Sequence, residues 1–516
     1  MSKKQLLAVI DLGSLSLRLK IFELSPEMAP KEIESARRYL SLGARTYRHG
    51  ILSSEQVANL CEVLSGFVLK LKEYRIPKSR TICVVTSAFR EANNRAVVLE
   101  QIRLKTGLVV EVLDNAKERY FHNLAVKECQ PHFASIIEQG TMMLDIGAGS
   151  MQATVYDHSD FVFSQNTVLG SLRISELLSD VARQTTHYAE TLEEYISQDL
   201  EDYHAIEPRN ISYKNLIAFG EDIGFIKDLA GMSPREYCFL SKEQFLSVYD
   251  ALIKISPADL IMDKEIPKDT APLLLPTAMM IKKMLEYTDA KGVHLPAASL
   301  TDGVMYDFAE KEMHYNLVVS PKKDLLSGAR HLARRYHSDH KHTEHVENSA
   351  LVIFDCTRRI HGMGEREKTM LQLAAILHEV GKYVHISNPF ESTFNIICKT
   401  ELVGMATADR EIVAYVAFFY ANPDMIHETA FQALDDEKKT LVLKLTAILR
   451  ICDALDASHK QKMRNLSLTV TSDSVTISGE SRLDMTYEKW VFNKQNELFF
   501  DVYAIKPILH LRRQIK

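Results

Sequence analysis

Apolar runs flanked by polar or turn residues open the chain. LLAVI (6–10), ICVV (82–85) and VVEVL (109–113) have the length and branched composition of strands. Between the first two, apolar residues recur at helical spacing from about Glu55 to Tyr74, and Ser53 with Gln56 has the form of a capping box. A second helix is expected after Arg90 and a third through AKERYFHNLAV (116–126). The strand pattern restarts with TMMLD (141–145), SMQATVY (150–156) and FVFSQ (161–165), and NLIAF (215–219) adds another. From Pro321 to about residue 460 no strand pattern occurs; MLQLAAILHEV (370–380) and LVLKLTAILRICDAL (441–455) are helical in period. Alternation returns in LSLTVTSDSVTIS (466–478) and ELFFDVYAI (497–505), which predicts a small β-rich module at the C-terminal end.

The first half repeats itself. AVIDLGSLSLRLKIF (8–22) and MMLDIGAGSMQATVY (142–156) superpose without gaps, Asp11 on Asp145, Gly13 on Gly147 and Ser16 on Ser150. Duplication of this kind predicts two similar α/β lobes facing each other across a cleft. The expected organisation is lobe I at 1–127, lobe II at 128–310, an all-α domain at 311–462 and a C-terminal module at 463–516.

Composition narrows the function classes. With 516 residues, 46% hydrophobic and 25% charged, the chain has material for several globular cores. Its net charge of −6 argues against bulk nucleic-acid binding, so any anion site must be local. Candidates are Lys322–Lys323, the stretch Arg330 to Lys341, and Arg512–Arg513. Seven scattered cysteines without a C-x-x-C, no signal-peptide core and no membrane-length apolar run predict a soluble cytoplasmic protein.

Each repeat is a strand ending in Asp, a turn of small residues and a returning strand. Glycine lets backbone N–H groups approach an anion closely. A strand-end Asp can hold a divalent cation against phosphate oxygens. Two such hairpins would grip a phosphoanhydride from both sides, and no G-x-x-x-x-G-K-[ST] loop is present. DLGSLSLRL (11–19) resembles the D-[IL]-G-S-N-S-x-R-L signature of the exopolyphosphatase/guanosine pentaphosphate phosphohydrolase (Ppx/GppA) family. TSAFREANN (86–94) resembles its T-S-A-x-R-E-A-x-N, and EVLDNAKERYFHNLAV (111–126) is similar, without gaps, to its E-V-I-S-G-E-E-E-A-R-L segment. DIGAGSMQ (145–152) resembles D-I-G-G-G-S-T-E, LGSLRISE (169–176) resembles G-x-x-R-L-T-E, and SLTDGV (299–304) is similar to a segment reading R-E-G or R-D-G. HVENSALVIFD (345–355), LQLAAILHEVGKYV (371–384) and LRICDALDAS (449–458) look like the HD-type domain of the family's long members.

The resemblance implies duplicated actin-like lobes (the actin/sugar-kinase/Hsp70, ribonuclease H-like class) followed by an all-α HD-like domain and the small C-terminal module. It implies hydrolysis by water without a covalent intermediate. Glu118 is then the general base, Arg90 the phosphate clamp and Gln152 a further catalytic position. Asp145 and Asp11 would hold Mg²⁺ or another divalent cation. Ser14, Leu15, Ser16, Gly147, Ala148, Gly149 and Ser150 would cradle phosphate together with Arg90, which is expected at a helix start. Several positions depart from the family pattern. Its loop asparagine is Leu15, placing an apolar side chain at the turn; its glutamate is Gln152, which cannot accept a proton. Its G-G-T loop is Gly220-Glu221-Asp222, adding two negative charges, and its arginine before the D-G pair is Thr301.

In the helical half, His345, His378, Glu379 and Asp453 occupy the places of an HD metal site, with glutamate for aspartate. A degenerate site is expected, in helices that pack a homodimer interface and guide an anion. The implied substrate is inorganic polyphosphate, cleaved from its end to release orthophosphate. Guanosine pentaphosphate is the alternative substrate, and a weakened polyphosphate- or alarmone-binding regulator the non-enzymatic alternative. Neither nucleic acid nor a membrane is expected as a partner.

Overall fold

The computed structural model describes residues 5–26, 28–185, 187–420 and 429–513. Strands β1 (Gln5–Leu12), β2 (Ser16–Ser25), β3 (Met28–Tyr39), β4 (Thr81–Val85) and β5 (Glu111–Val112) form one sheet in the order β3-β2-β1-β4-β5. Here β1, β2 and β3 run antiparallel, while β4 and β5 continue parallel to β1. Strands β6 (Thr141–Ile146), β7 (Met151–Asp157), β8 (Asp160–Thr167), β9 (Asn215–Gly220), β10 (Cys238–Ser241) and β11 (Gly292–Leu295) form a second, ordered β10-β11-β9-β6-β7-β8. Read from β8 to β11 it repeats the first sheet strand for strand, with β10 added antiparallel at its edge. The internal sequence repeat is therefore a repeat of the actin-like sheet, with equal register: Asp11 pairs with Arg18 and Asp145 with Gln152.

The continuous apolar run of β1 follows from burial on both faces. Ala8, Ile10 and Leu12 pack with Leu60, Leu64, Phe67 and Ile102 on one side; Leu7 and Val9 pack with Phe121, Leu300 and Val304 on the other. The second face is closed by helices Asn115–Cys129 and Leu300–Met313, which cross closely at Gly303. Helix Ser54–Glu73 begins where expected, with Ser53 and Gln56 forming the reciprocal capping box. β3 escaped the pattern because it is a long polar edge strand, mostly exposed; β10 and β11 are too short to show a period. Arg90 stands in the last turn of the short helix Ser87–Glu91, not at a helix start, so its charge complements the helix dipole.

The chain divides into two compact units, Met1–Asp324 and Leu325–Lys516. In the second, helices His340–Cys356, Glu365–Leu377, Thr407–Phe419 and Asp436–Ala454 pack together, and a sheet of β12 (Arg464–Val470), β13 (Ser474–Ser481) and β14 (Lys506–Arg513) shares their core through Val475 and Ile477. ELFFDVYAI is not a strand. Glu497–Tyr503 is helical, because Leu498, Phe499, Val502 and Tyr503 also fall on one helical face against that core. Among the described residues no helix is long and apolar enough to cross a membrane.

Candidate active site

The turns joining β1 to β2 and β6 to β7 are built alike. The Gly13 amide donates to the Ser16 carbonyl (3.0 Å) and the Gly147 amide to that of Ser150 (2.9 Å). Carbonyls in both turns are consumed within the fold. Ser14 O accepts from Gly43, Leu15 O from Leu40 and Ser41, Gly147 O from Ser171, and Ala148 O from Arg173. In a trans peptide the next N–H points opposite to the carbonyl. The amides of Leu15, Ser16, Ala148 and Gly149 are thereby turned away from those partners.

Arg90, Asn115, Glu118, Arg119, His122, Asp145, Gly147, Ser150, Gln152 and Asn166 line one stretch of a cleft. The next stretch, lined by Asp11, Arg18 and Glu221, shares His122, Asp145 and Gly147 with it. Helix Asn115–Cys129, capped by Asp114 through the Lys117 amide at 2.8 Å, delivers Glu118 and His122 one turn apart. Arg90 donates to the Leu113 carbonyl (3.0 Å) and forms an ion pair with Glu118. His122 Nδ1 meets Asp145 Oδ2.

Charge is concentrated here. Burial, aided by Glu221, pushes the Asp11 carboxyl up to about 7. Burial alone would depress His122, but Asp145 beside it, with Glu118 and Asp11, holds its pKa at about 9. Asp11 Oδ1, Asp145 Oδ1 and Gln152 Oε1 are buried without a hydrogen-bond partner. Unsatisfied hard oxygens of this kind fit a divalent cation such as Mg²⁺.

The Ppx/GppA phosphatase family profile matches residues 21–312, and that of its domain III matches 326–500. The chain belongs to the Ppx/GppA phosphatase family. Among solved structures, it resembles an exopolyphosphatase from Cytophaga hutchinsonii (18% identity, 61% of this chain and 99% of that one, TM-score 0.51). It also resembles an exopolyphosphatase-like protein (17%, 59% and 98%, TM-score 0.51) and the Aquifex aeolicus Ppx/GppA family member (20%, 60% and 99%, TM-score 0.49). At these identities the two likenesses with a TM-score of 0.51 establish the fold alone.

Within this Ppx/GppA chain, Arg90, Glu118, Asp145, Gly147, Ser150 and Gln152 come together in one stretch of the cleft, and Asp11 in the adjoining one. Leu15 must be corrected. Its side chain is fully buried against Ala148, Leu172 and Leu273, so it packs within the fold and does not stand at the loop tip, and only its backbone amide is left to meet an anion. Ser14 and Ser16 have hydroxyls already engaged: Ser14 Oγ with Ser87, Tyr47 and the Ala88 amide, and Ser16 Oγ with Arg37 and Glu221. The two acidic residues after Gly220 do not both face the cleft. Glu221 is paired with Arg37 at 3.2 Å, while Asp222 turns inward to Ser171 (2.8 Å) and Thr277 (3.3 Å). Thr301 is likewise buried.

Sequence reasoning missed His122, Arg119, Arg18 and Asn166. The offset of four from Glu118 could have flagged His122. In the second unit, His378 Nε2 lies 3.7 Å from Asp453 Oδ1, whereas Glu379 is bound to Lys382. His345 is not in that cluster; His342, one turn earlier, takes the place expected for it. Of the basic stretch 330–341, Arg330 is tied to Glu347 at 2.6 Å.

Proposed function

We propose that the cleft hydrolyses the terminal phosphoanhydride of inorganic polyphosphate, releasing orthophosphate. The observation that carries this reading is the Arg90–Glu118 pair in the same cleft as Asp145, Gly147 and Ser150. An arriving terminal phosphate competes with Glu118 for the Arg90 guanidinium, which binds phosphate oxygens bidentately. Glu118 is then released as a carboxylate beside the phosphorus. It takes a proton from a water molecule whose oxygen attacks that phosphorus; the P–O bond to the chain breaks and the shortened polyphosphate leaves. Turn amides at Ala148 and Gly149 stabilise charge on the transferring group. Asp11, Asp145 and Gln152 would hold a divalent cation, which when bound neutralises phosphate charge. Gln152 cannot serve as base, which leaves that role to Glu118.

The test is orthophosphate release from long-chain polyphosphate with Mg²⁺, wild type beside Glu118→Gln. The expected outcome is release by the wild type and a loss of about 10²–10⁴-fold in kcat in the variant. Undiminished turnover in the variant would remove Glu118 as base. Release from guanosine pentaphosphate but not from polyphosphate would replace the substrate, and tight polyphosphate binding without turnover would replace the enzyme by a sensor.

A further inference from the structure

The second unit contains a cluster that the cleft chemistry does not use. His342 on helix His340–Cys356, His378 just after helix Glu365–Leu377, and Asp453 in the last turn of Asp436–Ala454 converge, each offering one ligand atom. Both histidine side chains are fully buried. His378 Nδ1 lies 2.8 Å from the Ala375 carbonyl, an acceptor only, so that nitrogen carries the ring proton. His342 Nδ1 lies 2.9 Å from Asp456 Oδ2, and this carboxylate likewise accepts a hydrogen bond from the ring N–H. With Nδ1 of each ring so engaged, the two Nε2 atoms are left facing each other 3.4 Å apart. Two lone pairs at that distance repel unless a cation lies between them.

The ligand types, with these spacings, favour one class of cation. Asp453 Oδ1 is 3.2 Å from His342 Nε2 and 3.7 Å from His378 Nε2. Ligand atoms about 2.0–2.2 Å from a tetrahedral ion stand roughly 3.3–3.6 Å from one another. Around octahedral Mg²⁺, with bonds of about 2.1 Å, neighbouring ligands stand roughly 3.0 Å apart. Two imidazoles and one carboxylate also suit zinc and its first-row neighbours rather than magnesium. Asp456 behind His342 and the Ala375 carbonyl behind His378 supply the outer hydrogen bonds that fix ligating imidazoles. Glu379 Oε1, 3.9 Å from His342 Nε2, and His459, whose ring stacks on His342 at 3.7 Å, flank the cluster without joining the triad.

We propose that His342, His378 and Asp453 bind one first-row divalent metal ion of the zinc type, tying three helices of the second unit together. The ion is independent of the cation in the phosphate cleft. Its competitor is a proton on His342 Nε2 shared with Asp453.

The test is elemental analysis of the full chain after exhaustive dialysis, followed by Co²⁺ titration read by visible absorption. About one zinc-type ion per chain is expected in the wild type and in Asp145→Asn, together with the intense absorption of four-coordinate Co²⁺. His378→Gln and Asp453→Asn should each lose the ion and the band at unchanged far-ultraviolet circular dichroism, and millimolar Mg²⁺ should not displace Co²⁺. A wild-type chain that retains no such ion and shows no Co²⁺ band would overturn the proposal in favour of the shared proton. So would folded variants that keep both. The wild-type Co²⁺ titration stands alone if either variant fails to fold.

Discussion

Gly303→Ala probes how the cleft is held in place. Gly303 lies in helix Leu300–Met313 where it crosses helix Asn115–Cys129, which carries Glu118 and His122. A Cβ at position 303 would stand 1.8 Å from the Phe121 carbonyl oxygen and 2.5 Å from its carbon, where real Cβ atoms essentially never come within 3.0 Å. The obstacle is backbone, so a side chain cannot rotate away, and the helices must part by at least about 1.2 Å. Alanine gains up to about 1 kcal/mol in helix propensity. Overpacking of this kind nevertheless costs about 1–3 kcal/mol or more. Phe121 sits between Glu118 and His122, so the displacement reaches the general base. A misplacement of about 1 Å is worth roughly 10²-fold in rate. The assay is steady-state orthophosphate release beside thermal unfolding, with Gly66→Ala as control. Gly66 is exposed in helix Ser54–Glu73, and a Cβ there meets nothing within 4 Å. The control should gain about 0.5–1 kcal/mol with kcat unchanged. A Gly303→Ala enzyme within twofold of wild type in kcat and equal in stability would refute the reasoning.

Three other substitutions test separate parts of the site. Leu15→Asn restores the family residue but places an amide in an apolar cluster; it should cost about 1–3 kcal/mol by urea unfolding without raising turnover, and a faster, equally stable enzyme would contradict the packing role. Burial raises the Asp222 carboxyl from 3.8 to about 6, so the folded state keeps a proton that the unfolded chain releases. The associated stability is complete below about pH 4 and is lost as pH rises through 6, a change of up to about 3 kcal/mol. Asp222→Asn should abolish that loss in unfolding measured from about pH 4 to 7.5, and equal pH slopes in the two proteins would sink the assignment. His122→Gln removes a cation held against Asp145 and should lower the Mg²⁺ concentration giving half the maximal thermal shift by about tenfold or more; an unchanged or higher value would show that His122 and the metal do not compete.

Legibility in the sequence followed where the physics was local. The duplicated hairpins, the capping box at Ser53 and the helical half were readable because each has its own period or end signal. The ELFFDVYAI segment was not, since its apolar positions satisfy both a two-residue and a helical spacing, and only the core of the second unit selects the helix. Leu15 carried a misleading signal: an apolar residue in a phosphate-type turn suggested a lost contact, whereas Leu172 and Leu273, distant in sequence, enclose it. His342 and His345 are both histidines on one helix. Choosing between them required the partners Asp453 and Asp456, which lie on a different segment of the chain.

The second face of β1 is covered by helix Asn115–Cys129 and by a helix that begins only at Leu300, although its sheet partner β4 is complete by Val85. On a ribosome adding about 5–20 residues per second, Leu7 and Val9 therefore wait roughly ten to forty-five seconds for that cover. The first lobe is thus finished by a segment far along the chain, and a chain stopped before residue 300 leaves this apolar sheet face only partly covered. The lobe that carries Asp11 and Arg90 reaches its working shape only after nearly the whole first unit has been made.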